Sequence, residues 1–243
     1  MADPGLLSNL AFYSTPAYPC NYLPARQAVT MFADPVVPKN ASSYSTLSSF
    51  GFRRSGEHLY RPRCPNCHAC IPVRVSVNHF VPTRTQKRTL RRNEDLIINY
   101  LPAAFRSEHF ELYRRYLEIR HPGGGMDDPT PESYMNFLTC SWANTWFIEM
   151  RQNDNLVAVA VVDEMRDALS AVYTFFEPDL AMRSLGRFAV LFEIKRARQR
   201  KLKWLYLGYW IANCTKMRYK NEYQPLQYFR DGYWTHNEPR TAP

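Results

Sequence analysis

Three cysteines fall within the seven residues CPNCHAC, at positions 64, 67 and 70. Two overlapping C-x-x-C pairs let a turning backbone aim several thiolates at one ion. Cys20 or His68 is available as a fourth ligand. Zinc and an iron–sulfur cluster would use the same thiolates, Cys20, Cys64, Cys67 and Cys70; reduced structural cysteines are the plain alternative. Just upstream, GFRRSGEHLYRP (51–62) sets Arg53, Arg54, His58 and Arg61 beside two glycines. Such a stretch bends tightly and aims charged forks at an anion, or is simply a basic turn. A third group is Arg183, Ser184 and Gly186, where a helix is expected to begin. Free N–H groups and the helix dipole favour an anion at such a start. Charge is concentrated as well. Residues 84–92 hold five bases, among them Lys87, Arg88, Arg91 and Arg92, and no acid; residues 183–203 hold eight, including Lys195, Arg198 and Lys201, against the single acid Glu193.

These groups need elements to hold them. Residues 168–176 read as a strand rich in β-branched and aromatic side chains, followed by a turn at Pro178 and Asp179. Ser184 is placed to N-cap a helix running to about Arg200, with Phe188, Leu191 and Phe192 on its buried side. A strand over 204–211 closes the unit. Upstream, the patterning predicts a strand over 27–32, a helix over 40–50 stopped by Gly51, a strand over 71–77 and a basic helix over 83–93. It continues with a strand over 96–101, helices over 107–120 and 133–138, and a hairpin pairing 145–151 with 156–163. HPGGGMDDP (121–129) matches no phosphate-binding loop and reads as a lid or connector. Pro102 is the expected domain boundary, dividing 1–102 from 103–243.

The chain of 243 residues is long enough for a substantial core, and its net charge of +9 favours a polyanionic partner through counterion release. No apolar run approaches membrane-spanning length, and no secretory signal is read at the start, so a cytoplasmic setting is expected and a membrane partner is not. A non-catalytic nucleic-acid binder with a metal knuckle fits the charge and the cysteines equally well.

From residue 107 the element order is similar to that of GCN5-related acyltransferases, which implies an α+β fold with a mixed sheet flanked by helices. Those enzymes hold the pyrophosphate of coenzyme A with an R-x-x-G-x-G/A turn. Here Arg183 and Gly186 fit that pattern and Phe188 does not, which points away from a coenzyme A donor. The stretches CNYLPARQA (20–28), YSTLSSFGFRRSGEHLYRPRC (44–64), CHACIPVRV (67–75), YTFFEP (173–178), SLGRF (184–188) and LYLGYWIANCTKMRYKNEYQP (205–225) are more specific. They resemble the arginyl-tRNA–protein transferase family, most closely its bacterial branch of aspartate/glutamate leucyltransferases.

That resemblance implies an N-terminal cysteine-bearing domain and a GCN5-like domain. It also implies transfer of an amino acid, leucine in the bacterial branch, from aminoacyl-tRNA to the N-terminal amine of proteins beginning with Asp or Glu, which marks them for degradation. An arginyl donor remains the alternative. No cofactor is required, because the ester is already activated, and no DNA partner is expected. Eukaryotic members carry a C-x-x-C and an adjacent cysteine pair that bind an iron–sulfur cluster. Here Leu23 stands at the second ligand position after Cys20, so the cluster does not carry over directly. Within this reading Glu193 is a candidate for proton transfer, although it lies about 140° from Phe188 around the helix and suits an exposed ion pair equally. Tyr206 and Tyr209 are candidate hydroxyl donors. Arg183, Ser184 and Gly186 are placed for the adenosine end of the donor, and Lys87, Arg88, Arg91, Arg92, Lys195, Arg198 and Lys201 for the tRNA backbone. Arg53, Arg54 and Arg74 are candidates for the acceptor's carboxylate, which a guanidinium grips in two places.

Overall fold

The computed structural model describes residues 10–120, 123 and 128–239. Most of the loop 121–129 therefore lies outside the described residues. The chain begins with short strands β1 (Phe12–Ser14), β2 (Tyr18–Pro19), β3 (Gln27–Ala28) and β4 (Thr30–Ala33), then helix α1 (Ala41–Ser49). Asn40 caps α1 in a reciprocal box with Ser43, and Gly51, at φ +83°, ends it as its position predicts. Strands β5 (Arg53–Ser55) and β6 (His58–Pro62) form a hairpin where a basic turn was one of the readings. Gly56 makes the reversal at φ +53°, and a Cβ there would stand 2.3 Å from the carbonyl oxygen of Asn136. Together β1, β4, β6 and β5 make a four-stranded sheet.

Next come β7 (Ile71–Ser76), α2 (Arg84–Arg92), β8 (Ile97–Pro102), α3 (Ser107–Arg120) and α4 (Pro131–Leu138). The second half adds β9 (Asn144–Gln152), β10 (Asn155–Glu164), β11 (Ala168–Phe176), α5 (Leu185–Gln199), β12 (Trp204–Trp210), α6 (Thr215–Arg218), β13 (Leu226–Arg230) and β14 (Tyr233–Thr235). The large sheet has eight strands in the order β14-β13-β7-β12-β11-β10-β9-β8. Only β11 and β12 run parallel; every other neighbouring pair is antiparallel. A mixed sheet flanked by helices is therefore the α+β architecture expected. The large sheet crosses Pro102: β7 and β8 precede it yet belong to that sheet, and β7 pairs with both β12 and β13. The alternation of β7 supplies the reason, since Val73 and Val75 find most of their apolar cover in the second half of the chain.

Successive side chains on each strand point to opposite faces. On one face Ile148, Met150, Ala158, Ala160 and Val162 pack on Leu185, Phe188 and Ala189 of α5, while Leu205 and Leu207 meet Val190, Leu191 and Ile194. The other face is divided. Phe147, Val159, Val161 and Phe175 lie under α3 and α4. Ala168 and Tyr206 lie under the N-terminal sheet and α1, against Met31, Tyr44 and Leu47.

Candidate functional site

The parallel ladder between β11 and β12 is short: Ala168, Leu169 and Ser170 face Trp204, Leu205 and Tyr206, and there it stops. Both strands continue, so they part. Irregularities flank the parting on each side, in the β10–β11 register opposite Val161 and Val162, and in the β12–β7 register between Tyr206 and Gly208. A bulge adds a residue and turns the strand away from its neighbour. Backbone groups in the resulting gap need other partners.

One partner is Arg53. It leaves β5 on the N-terminal side of the sheet, and its Nη2 donates to the carbonyl oxygen of Ala171 at 2.6 Å. Its guanidinium also lies against Gly208, where a Cβ would stand 2.9 Å from Cζ. Gly208, at φ +80°, is thus required twice, by the backbone turn and by the close approach. Arg53 Nη1 is buried without a hydrogen-bond partner.

On the opposite face, α5 buries Glu193 within reach of the charge of Arg53. It is 0% exposed, and neither carboxylate oxygen has a partner. Burial pushes its pKa up to about 8, with only the positive charge of Arg53 drawing it down. The exposed ion pair allowed for Glu193 by the helical wheel is therefore excluded: α5 is buried on more than one side, because helix and sheet enclose it.

Beside the gap lies a cleft of about 580 Å³, lined by Tyr18, Tyr22, Tyr60, Tyr209, Phe229 and the cysteine segment. Tyr209 joins gap to cleft. Its hydroxyl lies 3.1 Å from the carbonyl oxygens of both Gly51 and Tyr60, and burial holds its pKa well above the ordinary phenol value. Its proton is therefore spent on backbone, and the expectation of a free hydroxyl donor is corrected. Tyr206 differs: its hydroxyl accepts from Arg74 Nη1 at 3.2 Å, on the face away from α5, and keeps its own proton.

The three candidate acceptor arginines separate. Arg54, next to Arg53 on β5, points to the other side and is 4% exposed. Its Nε and Nη2 donate to Asp163 Oδ2 and Oδ1 at 2.7 and 2.8 Å, and Tyr44 and Thr145 donate to the same carboxylate. Arg74 lies over the rings of Trp204 and Trp234, 3.8 and 4.2 Å from their centroids, with Nε on Gln227. Both are struts between elements, Arg54 through Asp163 and Arg74 through Trp204, Trp234 and Gln227, and Arg54 Nη1, like Arg53 Nη1, is buried without a hydrogen-bond partner. Of the three, Arg53 is the one that lies at the gap, against Ala171 and Gly208.

Ser184 adopts the left-handed conformation, φ 55° and ψ 46°, and caps nothing with its side chain. A 3₁₀ turn over Pro178–Arg183 runs straight into α5 and leaves it no extended residue to serve as a cap. Gly186 lies under Phe176, whose Cε1 would stand 3.1 Å from a Cβ there. Arg183 grips both oxygens of Asp95 at 2.9 and 2.8 Å, and Arg92 donates to the carbonyl of Met182, so this turn is clamped to the end of α2. Of the other bases, Lys87, Arg88, Arg91 and Lys195 are exposed, whereas Arg198 spends Nε and Nη2 on the carbonyls of Val77 and Phe80. Lys201 ends α5 at φ 58°.

Cys20, Cys64, Cys67 and Cys70 all line the cleft. The Cys70 thiol is pushed up to about 12 by burial, with its three neighbours and Cys214 adding to the effect. Among the described residues, however, no three His, Cys, Asp or Glu side chains are arranged to hold a metal ion. The sulfurs instead accept backbone N–H groups, Cys20 from Tyr22 at 3.5 Å and Cys64 from Val29 at 3.4 Å.

Two residues of the site were not among the sequence candidates. Asp163 is the anchor of Arg54. Lys220, in the polar run YKNE, has its Nζ buried 2.7 Å from the carbonyl oxygen of Tyr209. No local pattern marks Lys220, since its burial comes entirely from the strands it folds back upon.

A family model described as Arginine-tRNA-protein transferase, N terminus, matches residues 18–88, and one described as Arginine-tRNA-protein transferase, C terminus, matches residues 108–230. The chain is 50% identical over 228 residues to an aspartate/glutamate leucyltransferase of Alcanivorax borkumensis, covering 94% of each chain. It is 49% identical over 228 residues to that of Marinobacter nauticus, covering 94% of this chain and 96% of the relative. Among solved structures, L-PGS from Bacillus licheniformis is similar with a TM-score of 0.42 and 12% identity, over 76% of this chain and 68% of that one. FemX is similar with a TM-score of 0.42 and 9% identity, over 74% and 63%.

Proposed function

The chain belongs to the arginine-tRNA-protein transferase family, and from that premise we infer that it transfers leucine from leucyl-tRNA to the N-terminal amine of proteins beginning with aspartate or glutamate. The observation that carries this reading is identity near one half along almost the whole of both chains. Its products would be proteins marked for degradation. No helix of the described residues is long and apolar enough to cross a membrane.

The reaction exchanges an ester for an amide. The acceptor nitrogen attacks the ester carbonyl, a C–N bond forms, the bond to the terminal ribose oxygen breaks, and the proton lost by the amine must reach that oxygen. Positioning the two substrates removes much of the barrier, and a proton-handling group adds about 10²–10⁴-fold. We assign proton handling to Glu193. A carboxyl holding its proton to about 8 can give it to the leaving oxygen near neutral pH and regain it from the ammonium. Because Glu193 is fully buried, substrates meet Arg53 first. Arg53 must shift within the gap, and its free Nη1 is the donor offered to an incoming anionic oxygen. The exposed face of α2, with Lys87, Arg88 and Arg91, suits the phosphate backbone of tRNA. Coenzyme A has no observation in its favour: Phe188 packs into the core at the position where its pyrophosphate turn needs an open backbone.

The test is to incubate the purified protein with tRNA charged with labelled leucine or arginine and with peptides starting Asp, Glu, Lys or Ala. Leucine passing only to the Asp and Glu peptides is expected, without ATP or coenzyme A. Arginine transfer would change the donor, and no transfer from either would overturn the reading.

A further inference from the structure

Arg53 and Lys220 bring positive charge into the interior that the protein does not balance. Arg53 has an unpartnered Nη1 and forms no ion pair with any described carboxylate, and Glu193, the buried acid that feels its charge, keeps its proton to about 8. Lys220 is 7% exposed and forms no ion pair with any described carboxylate. Its structural task explains only one of its three N–H groups. Tyr209 faces Pro72 in the sheet, and proline has no N–H; on the other side β11 has already diverged, so the Tyr209 carbonyl takes its donor from Lys220. A second N–H rests 3.6 Å from the thioether of Met217, a weak acceptor. Beyond these the ammonium has only the distant face of the Tyr219 ring, 6.0 Å from its centroid.

The charge of Arg53 is felt at Lys220, where with burial it lowers the ammonium's pKa to about 7. Tyr209, whose carbonyl Lys220 holds, and Tyr60, whose carbonyl takes the Tyr209 hydroxyl, both line the cleft. Arg53, and a Lys220 amine that an incoming anion would hold protonated, thus stand behind the wall of a cleft that adjoins the gap. Burying such a pair is costly unless an anion completes it. The chemistry that fits is a single carboxylate carried on a short side chain.

We propose that Lys220, with Arg53, receives the side-chain carboxylate of the acceptor's N-terminal aspartate or glutamate and so discriminates acidic N-termini from their amides. This rests on the leucyltransferase reading above and names the residues of its acceptor specificity. Lys220 is a binding residue here; the proton transfers remain with Glu193. An isosteric amide lacks the charge, leaves Arg53 and Lys220 unbalanced, and is rejected for that reason.

The experiment measures kcat/KM for leucine transfer to peptides starting Asp, Glu, Asn or Gln, with leucyl-tRNA saturating, in the wild type, Lys220→Gln and Lys220→Arg. Glutamine keeps an N–H for the Tyr209 carbonyl and removes the charge; arginine keeps the charge. Thermal melting within a few degrees of the wild type identifies the folded variants. Lys220→Gln is expected to lower transfer to Asp and Glu peptides by about 10–100-fold, the value of a hydrogen bond to a charged group, and to leave Asn and Gln transfer within about twofold. Lys220→Arg is expected to restore part of the preference. Equal loss on all four peptides, no loss on any, or a loss traced to weaker leucyl-tRNA binding would each overturn the proposal. If the wild type itself transfers no leucine, the leucyltransferase reading fails instead.

Discussion

Replacing Glu193 by glutamine tests the buried proton directly. In the folded chain the carboxyl holds its proton to about 8, against an ordinary value of 4.5. A folded-state pKa raised above the unfolded one contributes stability that is complete below the unfolded value and is lost as pH rises through the folded one. For Glu193 that window runs from about 4.5 to 8, and at 1.36 kcal/mol per pH unit the loss amounts to about 4–5 kcal/mol. The amide keeps the shape of the carboxylic acid and cannot ionise. The stability of Glu193→Gln relative to the wild type is therefore expected to grow by about 3–4 kcal/mol between pH 5 and pH 8. Urea unfolding across that range reads the difference at each pH, and the comparison cancels whatever burying an amide costs on its own. The same variant is expected to lose transfer by about 10²–10⁴-fold, so it becomes more stable and less active at once. A stability difference that stays constant from pH 5 to 8 refutes the reasoning, because it means that Glu193 is already ionised against Arg53 in the fold.

Breaking the Arg54–Asp163 pair with Arg54→Met should cost about 3–5 kcal/mol in urea unfolding, and adding Asp163→Leu should recover most of it, because a lone buried charge is worse than none. Gly208→Ala places a methyl 2.9 Å from Arg53 Cζ at a positive φ. A loss of about 1–3 kcal/mol is expected there, together with reduced leucine transfer and unchanged tRNA affinity; full activity would show that Arg53 need not sit where it does. Lys87→Ala and Arg91→Ala should each weaken tRNA binding and lower the magnitude of the log–log salt slope by about one, and an unchanged slope in filter binding would remove α2 from the tRNA face.

Much of this architecture is legible from periodicity. Helix α5, the β9–β10 hairpin and β7 announce themselves because each presents an apolar face at its own repeat. The hairpin β5–β6 carries a sign at Gly56, but the arginines around it look like a solvated turn until Asp163 and the gap are known. Two-residue alternation then explains why Arg53 and Arg54 part company, one toward each side of the strand. The last strands, β13 and β14, were not read because they are short and pair with a strand from far upstream. Ser184 looks like a cap by residue type, and only its left-handed backbone, dictated by the turn before it, shows otherwise. In the site, Glu193 and Arg53 are visible as residue types, whereas their meeting depends on where two strands separate. Lys220 is hidden because its burial is wholly tertiary.

The place of β7 has a consequence for synthesis. On a ribosome this strand emerges roughly 130 residues before β12 and longer still before β13, its two neighbours in the finished sheet. Until then IPVRVS is an apolar segment with both edges unpaired, the kind of segment that invites pairing with other chains. The nascent protein is therefore committed to waiting, and a message cut short after β11 yields a chain whose β7 has neither neighbour. Such a fragment leaves both edges of β7 open to other chains, so the wiring that unites the two halves makes an incomplete copy prone to associate.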